Sequence, residues 1–209
     1  MSFYIPKHFR VDDRDALVAF ARANAFATLV TAGTEGLDVS HVPLHLVVAP
    51  DGAVKLLGHV ARANTHWKSL EAGHETLAIF SGPHAYVSPS WYVNHPSVPT
   101  WNYATVHARG TATLMDDAAL KRLIDTLSAH YEGGRPKPWR MGDLAADYVE
   151  MMVRAIVGFE IAVTSLEGKF KLSQNRKADD IPGVLAGLEA GGEGATAALM
   201  RAYIPRESR

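Results

Sequence analysis

Apolar and polar positions alternate with a period of two through much of the chain, and the breaks in that pattern fall at recognisable turns. Phe26–Thr31 (FATLVT) reads as a strand, and Gly33 and Gly36 bound a turn after it. From Leu37 to Ala49 the even positions Val42, Leu44, Leu46 and Val48 are apolar, while His41, Pro43 and His45 take the other face. That predicts one continuous strand. Pro50-Asp51-Gly52 is a hairpin turn into a strand at Val54–Ala61. Asn64 then caps a short helix through Leu70, stopped by Gly73, and Thr76–Ser81 is the next strand.

Helical spacing appears where the alternation stops. Asp12 or Asp13 caps a helix to about Ala23, with Leu17 and Phe20 on its inner face. Asp116 or Asp117 starts another from Ala118 to Tyr131. Asp143 is expected to cap a third that runs to about Ile156 and ends at Gly158. Leu144, Tyr148, Met151, Met152 and Ala155 fall along one side of it. Phe159, Ile161 and Val163 alternate in a last strand before Gly168. Residues from about 178 read as a helical tail broken by the glycines near 191–194. Hairpin links without regular strand–helix–strand alternation predict a mainly β, α+β fold, an antiparallel sheet curled into a barrel with flanking helices. A single domain over 1–209 is expected, with a helical insertion at about 116–156 and the tail at about 178–209.

His84–Gly110 carries the densest unusual chemistry. Pro89, Pro96 and Pro99 exclude helix there, and extended chain resumes from Trp101 to Met115. Trp91, Tyr92, Trp101 and Tyr103 gather around this connection. Such aromatics either plug a barrel end or a seam between copies, or cover a planar ligand.

Composition narrows the partners. Of 209 residues, 47% are hydrophobic, and there is no cysteine, so neither disulfides nor thiolate chemistry arise. No apolar run reaches the length needed to span a bilayer, and MSFYIPKHFR lacks an apolar core after its charges. A cytoplasmic location without membrane association is the expectation. A net charge of -1, with dispersed basic residues, supplies no nucleic-acid footprint.

Several candidate chemistries can be weighed. His41 and His45 on one strand stand about 13 Å apart, too far to share a metal ion, so no metal site is expected. No G-x-S-x-G, G-x-G-x-x-G or P-loop signature occurs. The segment GHVARANTHW (58–67) passes from a strand end through Arg62 to the helix capped by Asn64, which suits a phosphate. SHVPL (40–44) and KLSQNR (171–176) add hydroxyl, imidazole, amide and guanidinium groups. With the aromatic stretch they provide a flat slot, a polar edge and an anion seat, the needs of a flavin mononucleotide. No catalytic residue is singled out.

These segments resemble the PaiB-like family, FMN-binding negative transcriptional regulators with the split β-barrel fold of flavin reductases and pyridoxamine-phosphate oxidases. The likeness runs through YIPKHFR (4–10), FATLVT, SHVPL, GHVARAN (58–64), GPHAYVSPSWY (82–92), PTWNYATVH (99–107), AIVGFEI (155–161) and KLSQNR. Thr65 stands where the family often has proline. The resemblance implies a homodimer with FMN between subunits. Ser40, Arg62 and Asn64 would then hold the phosphate and ribityl chain, His41 would be a further cofactor-binding residue, and the backbone of His59, Val60 and Ala61 would line the ring. Trp101, Asn102 and Tyr103, with Gln174, Asn175 and Arg176, would complete the slot, partly from the partner. It implies a flavin-dependent regulator or redox sensor, and only the family name points to DNA. The alternatives are an FMN-dependent oxidoreductase using NAD(P)H on a small acceptor, and a haem-binding or haem-degrading barrel.

Overall fold

The computed structural model describes residues 3–204. Its strands are β1 (Arg10–Val11), β2 (Phe26–Gly33), β3 (Gly36–Pro43), β4 (His45–Val48), β5 (Val54–Ala61), β6 (Glu75–Val87), β7 (Thr100–Leu114) and β8 (Ile156–Lys171). Its helices are α1 (Arg14–Ala23), α2 (His66–Glu71), α3 (Asp117–Glu132), α4 (Ala146–Arg154), α5 (Ile181–Ala190) and α6 (Gly194–Tyr203). The strands form one antiparallel sheet in the order β3-β2-β6-β7-β8-β5-β4, with β1 also paired to β8. The strands at the two ends of that order, β3 and β4, are separated in sequence by Leu44 alone. The sheet therefore curls back on itself, and it is split because no ladder joins β3 to β4. This is the split-barrel, α+β fold expected from the sequence.

Contacts divide the chain into two compact units, one of Ala21–Phe80 with His107–Leu166, the other of residues up to Phe20, Ser81–Val106 and Glu167 onward. The first unit packs Leu29, Leu44, Leu56, Phe159 and Ile161 in its interior, each at most 1% exposed. Strand alternation puts Val54, Leu56, Gly58 and Val60 inward on β5, and Lys55, Leu57, His59 and Ala61 on the other face. The second unit is centred on Phe170, which meets Phe20 and Tyr203 at ring-centroid distances of 4.6 and 4.7 Å.

Several local expectations hold. Asp13 Oδ1 accepts from the Asp15 and Ala16 amides, and Asp116 Oδ1 accepts from Ala119 N at 2.7 Å. Others change. The stretch Leu37–Ala49 is two strands, because the Leu44 amide leaves the ladder to donate to Ala25 O. Strand β6 does not stop at Ser81 but continues to Val87. Asp143 ends a single 3₁₀ turn, Met141–Asp143, and α4 begins after it behind Ala145 without a side-chain cap. Gly158 lies inside β8, opposite His59, rather than at a helix end. A Cβ there would come within 2.9 Å of Leu120 Cδ1, so the missing side chain lets α3 sit close on the sheet.

Candidate functional site

In the first unit the loop after β5 is held by a chain of hydrogen bonds whose direction can be worked out end to end. Thr76 Oγ1 donates to His74 O at 3.2 Å, so it accepts from Thr31 Oγ1 at 2.9 Å. Thr31 in turn accepts from His66 Nε2 at 2.8 Å. With its proton on Nε2, His66 accepts at Nδ1 from the Ser40 hydroxyl, also at 2.8 Å. Ser40 Oγ finally accepts from Asn64 Nδ2 at 2.9 Å, and Asn64 Oδ1 takes the His66 amide. Thr31, Thr76 and His66 are at most 1% exposed. Burial lowers the His66 pKa, and Asp38 opposes this only in part. A protonated ring would place a donor against the Ser40 hydrogen, so the chain requires the neutral form.

This chain fixes Ser40 and Asn64 with polar capacity to spare. One Asn64 amide hydrogen and one lone pair on Ser40 Oγ are uncommitted. Arg62 lies between them and β8. Its backbone amide donates to Ala155 O, Nε to Arg154 O at 2.7 Å, and Nη2 to Ile156 O at 3.1 Å. The guanidinium thus takes up carbonyls at the C-terminus of α4, where a cation is favoured. Among the described residues Nη1 has no hydrogen-bond partner, and the side chain is exposed. Trp67 Nε1 donates to Arg62 O and secures the loop from the other side. Among the described residues, the exposed loop 61–65 thus presents a guanidinium nitrogen and a carboxamide, and the Ser40 hydroxyl of β3, 7% exposed, lies beneath the carboxamide. That donor set fits the phosphate and polyol end of a flavin nucleotide.

The remaining expected residues of this unit take varied places. His41 is exposed on the outer face of β3, its ring 6.5 Å from that of Phe26. Val60 is 4% exposed and points into the core, so only its backbone reaches the outer surface. His59 and Ala61 face outward. The His59 side chain lines a cavity of about 360 Å³ beneath α3 and α4.

In the second unit the residues brought together are mostly bound to their own chain. Asn102 is fully buried, and its carboxamide pairs reciprocally with Ser173 Oγ at 2.9 and 3.2 Å. That pairing holds Ser173 at a left-handed φ of 69°. Gln174 bridges Leu172 N and Phe170 O at the end of β8. The Arg176 guanidinium lies 3.9 Å from the Tyr92 ring centroid and donates to Ser97 Oγ. Trp101 is 54% exposed, Asn175 is exposed, and Tyr103 lies under the Lys169 ammonium at 5.6 Å. Trp91 and Tyr92 pack within this unit. A Cβ at Gly187 of α5 would meet the Trp91 indole at 2.3 Å, and Tyr92 is 4% exposed. Asp180 accepts from the Val93 and Asn94 amides and from Asn94 Nδ2. Burial raises its pKa, but those hydrogen bonds and Arg176 outweigh it and leave the carboxyl below its ordinary value.

Sequence reasoning missed the parts played by His66, Thr31 and Thr76. The available signal is a threonine at an inward position in each of two apolar strands, and the two are cross-strand partners.

Residues 3–165 match the sequence profile of a family described as "Putative FMN-binding domain". The chain belongs to this FMN-binding family. It is 36% identical over 186 residues to "Protease synthase and sporulation protein PAI 2" of Bacillus subtilis (strain 168), covering 89% of each chain. The fold matches the FAD and heme binding protein from Mycobacterium smegmatis, with a TM-score of 0.60 at 15% identity over 78% of this chain and 73% of that one. It also matches the flavocytochrome Anf3 from Azotobacter vinelandii, with a TM-score of 0.54 at 17% identity over 80% and 72%. FMN is the cofactor of the family, and the resemblance to PaiB-like proteins stands. No helix among the described residues is long and apolar enough to cross a membrane, and no cluster of three or more potential metal-ligating side chains occurs among them.

Proposed function

We propose that this chain is a flavin-based regulator of the PaiB type, a homodimer that senses redox state through FMN held at the loop 61–65. The observation that carries this reading is the loop 61–65, where the His66 chain sets Asn64 over Ser40 of β3 and the Arg154 and Ile156 carbonyls hold Arg62. Arg62 neutralises the phosphate, Asn64 and Ser40 bond the ribityl hydroxyls, and the His59–Ala61 backbone borders the ring. The similarity to PAI 2, whose name speaks of protease synthesis and sporulation, supports a role in control of gene expression. Phe26, Leu37 and Val39 are 69%, 71% and 54% exposed on β2 and β3, an apolar strip that a second copy of the chain would cover. Trp101, Tyr103, Asn175 and Arg176, supplied by the partner copy, would complete the slot.

When bound, FMN supplies one- and two-electron redox chemistry, and the protein orients it and tunes its potential. Arg62→Ala should weaken FMN binding roughly 10- to 100-fold, measured by flavin fluorescence on titrating apoprotein. An unchanged affinity removes Arg62 from the site. Salt-sensitive retardation of the protein's own promoter fragment, differing between oxidised and reduced flavin, supports the regulator.

A second reading is an oxidoreductase in which NAD(P)H reduces the flavin and a small acceptor is turned over. The net charge of -1 and scattered basic residues favour it, because they give DNA little to hold. Bleaching of the flavin absorbance by NADPH, with turnover, would select it.

A further inference from the structure

We infer that the cavity beneath α3 and α4 is a binding site for a small, uncharged, flat aromatic carbonyl compound, anchored by a hydrogen bond from His59 Nε2. The cavity lies wholly within one unit and does not depend on the flavin reading. Its floor is the outer face of β5 and the start of β8, where His59 and Ile156 stand, and its roof is Trp139, Leu144, Tyr148 and Met152. At about 360 Å³ it has the size of a compact ligand site. None of its lining side chains carries a formal charge at neutral pH, so it offers no counter-ion to a charged guest.

The single titratable base in the lining decides the chemistry. His59 Nδ1 is buried and has no hydrogen-bond partner. Burial also lowers the His59 pKa, with no neighbouring charge to offset it, so the ring is neutral. A neutral imidazole carries one proton. An N–H enclosed without an acceptor is the costlier arrangement, so the bare lone pair sits on Nδ1 and the proton on Nε2. Nε2 is therefore the donor of a ring that lines the cavity, and no hydrogen-bond acceptor for it occurs among the described residues. A guest that supplies a carbonyl oxygen there, and otherwise only aromatic surface for Trp139, Tyr148 and Met152, satisfies every feature of the lining.

The same ring differs from a helix-packing residue in one further respect. Its cross-strand partner Gly158 has no side chain, and Leu120 of α3 fills that place instead. The sheet thus meets α3 closely beside His59 and leaves the space over the imidazole open.

Two matched probes test this on the full chain with flavin bound. Isothermal titration should show 2-acetylnaphthalene binding at one site, and 2-ethylnaphthalene, which lacks the acceptor, roughly tenfold more weakly. His59→Phe should bring the two to equal affinity by weakening the ketone alone, and Val149→Trp should abolish both by filling the cavity. Equal affinities in the unaltered protein, a preference that survives in His59→Phe, or no saturable binding would each overturn the proposal. So would a Soret band on adding haemin that His59→Phe removes, since it would assign the imidazole to a porphyrin iron. If a variant fails to fold, the comparison of the two probes in the unaltered protein decides alone.

Discussion

His66 is buried and His59 half-buried, and burial lowers the pKa of both imidazoles, yet they sit in opposite circumstances. Both nitrogens of His66 are bonded, within a chain that runs from Asn64 to the His74 carbonyl. His59 has an enclosed Nδ1 with no partner and faces a cavity. Low basicity alone does not separate scaffold from site. The count of satisfied bonds does: a ring with all its capacity used can only hold structure, and one with capacity left over is available to a guest.

The contrast can be broken most strongly at His66. His66→Leu leaves the Ser40 and Thr31 hydroxyls short of a partner in the interior, and should cost about 2–3 kcal/mol in urea unfolding. It should also loosen the loop that carries Arg62 and Asn64, so FMN affinity falls with stability. A loss under 1 kcal/mol would show that the chain is not the support described here. Ser40→Ala removes one link and should cost about 1 kcal/mol by the same measurement.

Acid sharpens the comparison because both rings resist it. Each folded-state pKa lies below the ordinary value of 6.5, so as pH falls through 6.5 the unfolded chain takes up protons that the folded chain refuses. Stability is therefore full above about 6.5 and declines below it, and His59→Phe and His66→Leu should each flatten that decline. Asp180, with its pKa below 3.8, adds a separate loss only at lower pH, as its carboxylate is protonated. A chain equally stable at pH 7.5 and 5 would contradict both assignments. The smallest effect belongs to His59→Phe at neutral pH, expected to change unfolding free energy by no more than about 0.5 kcal/mol, because it removes no bond the protein makes.

Much of this fold can be read along the chain, and the reasons for the exceptions are physical. Alternation locates β2, β5, β7 and the body of β8, and the caps at Asp13 and Asp116 are local enough to be visible. The interruption at Leu44 is not, since the apolar positions keep their phase while a single amide leaves the ladder for Ala25. The site divides along the same line. Arg62 and Asn64 stand out because they follow the end of β5, and Ser40 because it is a hydroxyl inside the strand β3. The commitments of Asn102 to Ser173 and of Gln174 to its own strand depend on where the chain returns, and no local pattern encodes that. The cavity over His59 is hidden for a similar reason, since its roof comes from residues 80 or more positions later.

The boundary between the two contact units falls inside elements at each of its crossings: within α1 at Phe20, β6 at Phe80, β7 at Val106 and β8 at Leu166. Any attempt to express one half alone would sever strands mid-ladder and expose raw sheet edges to aggregation. Descendants of this gene could therefore gain or lose surface loops at little cost, but they could not trade one half for another, and the two halves are bound to be inherited together.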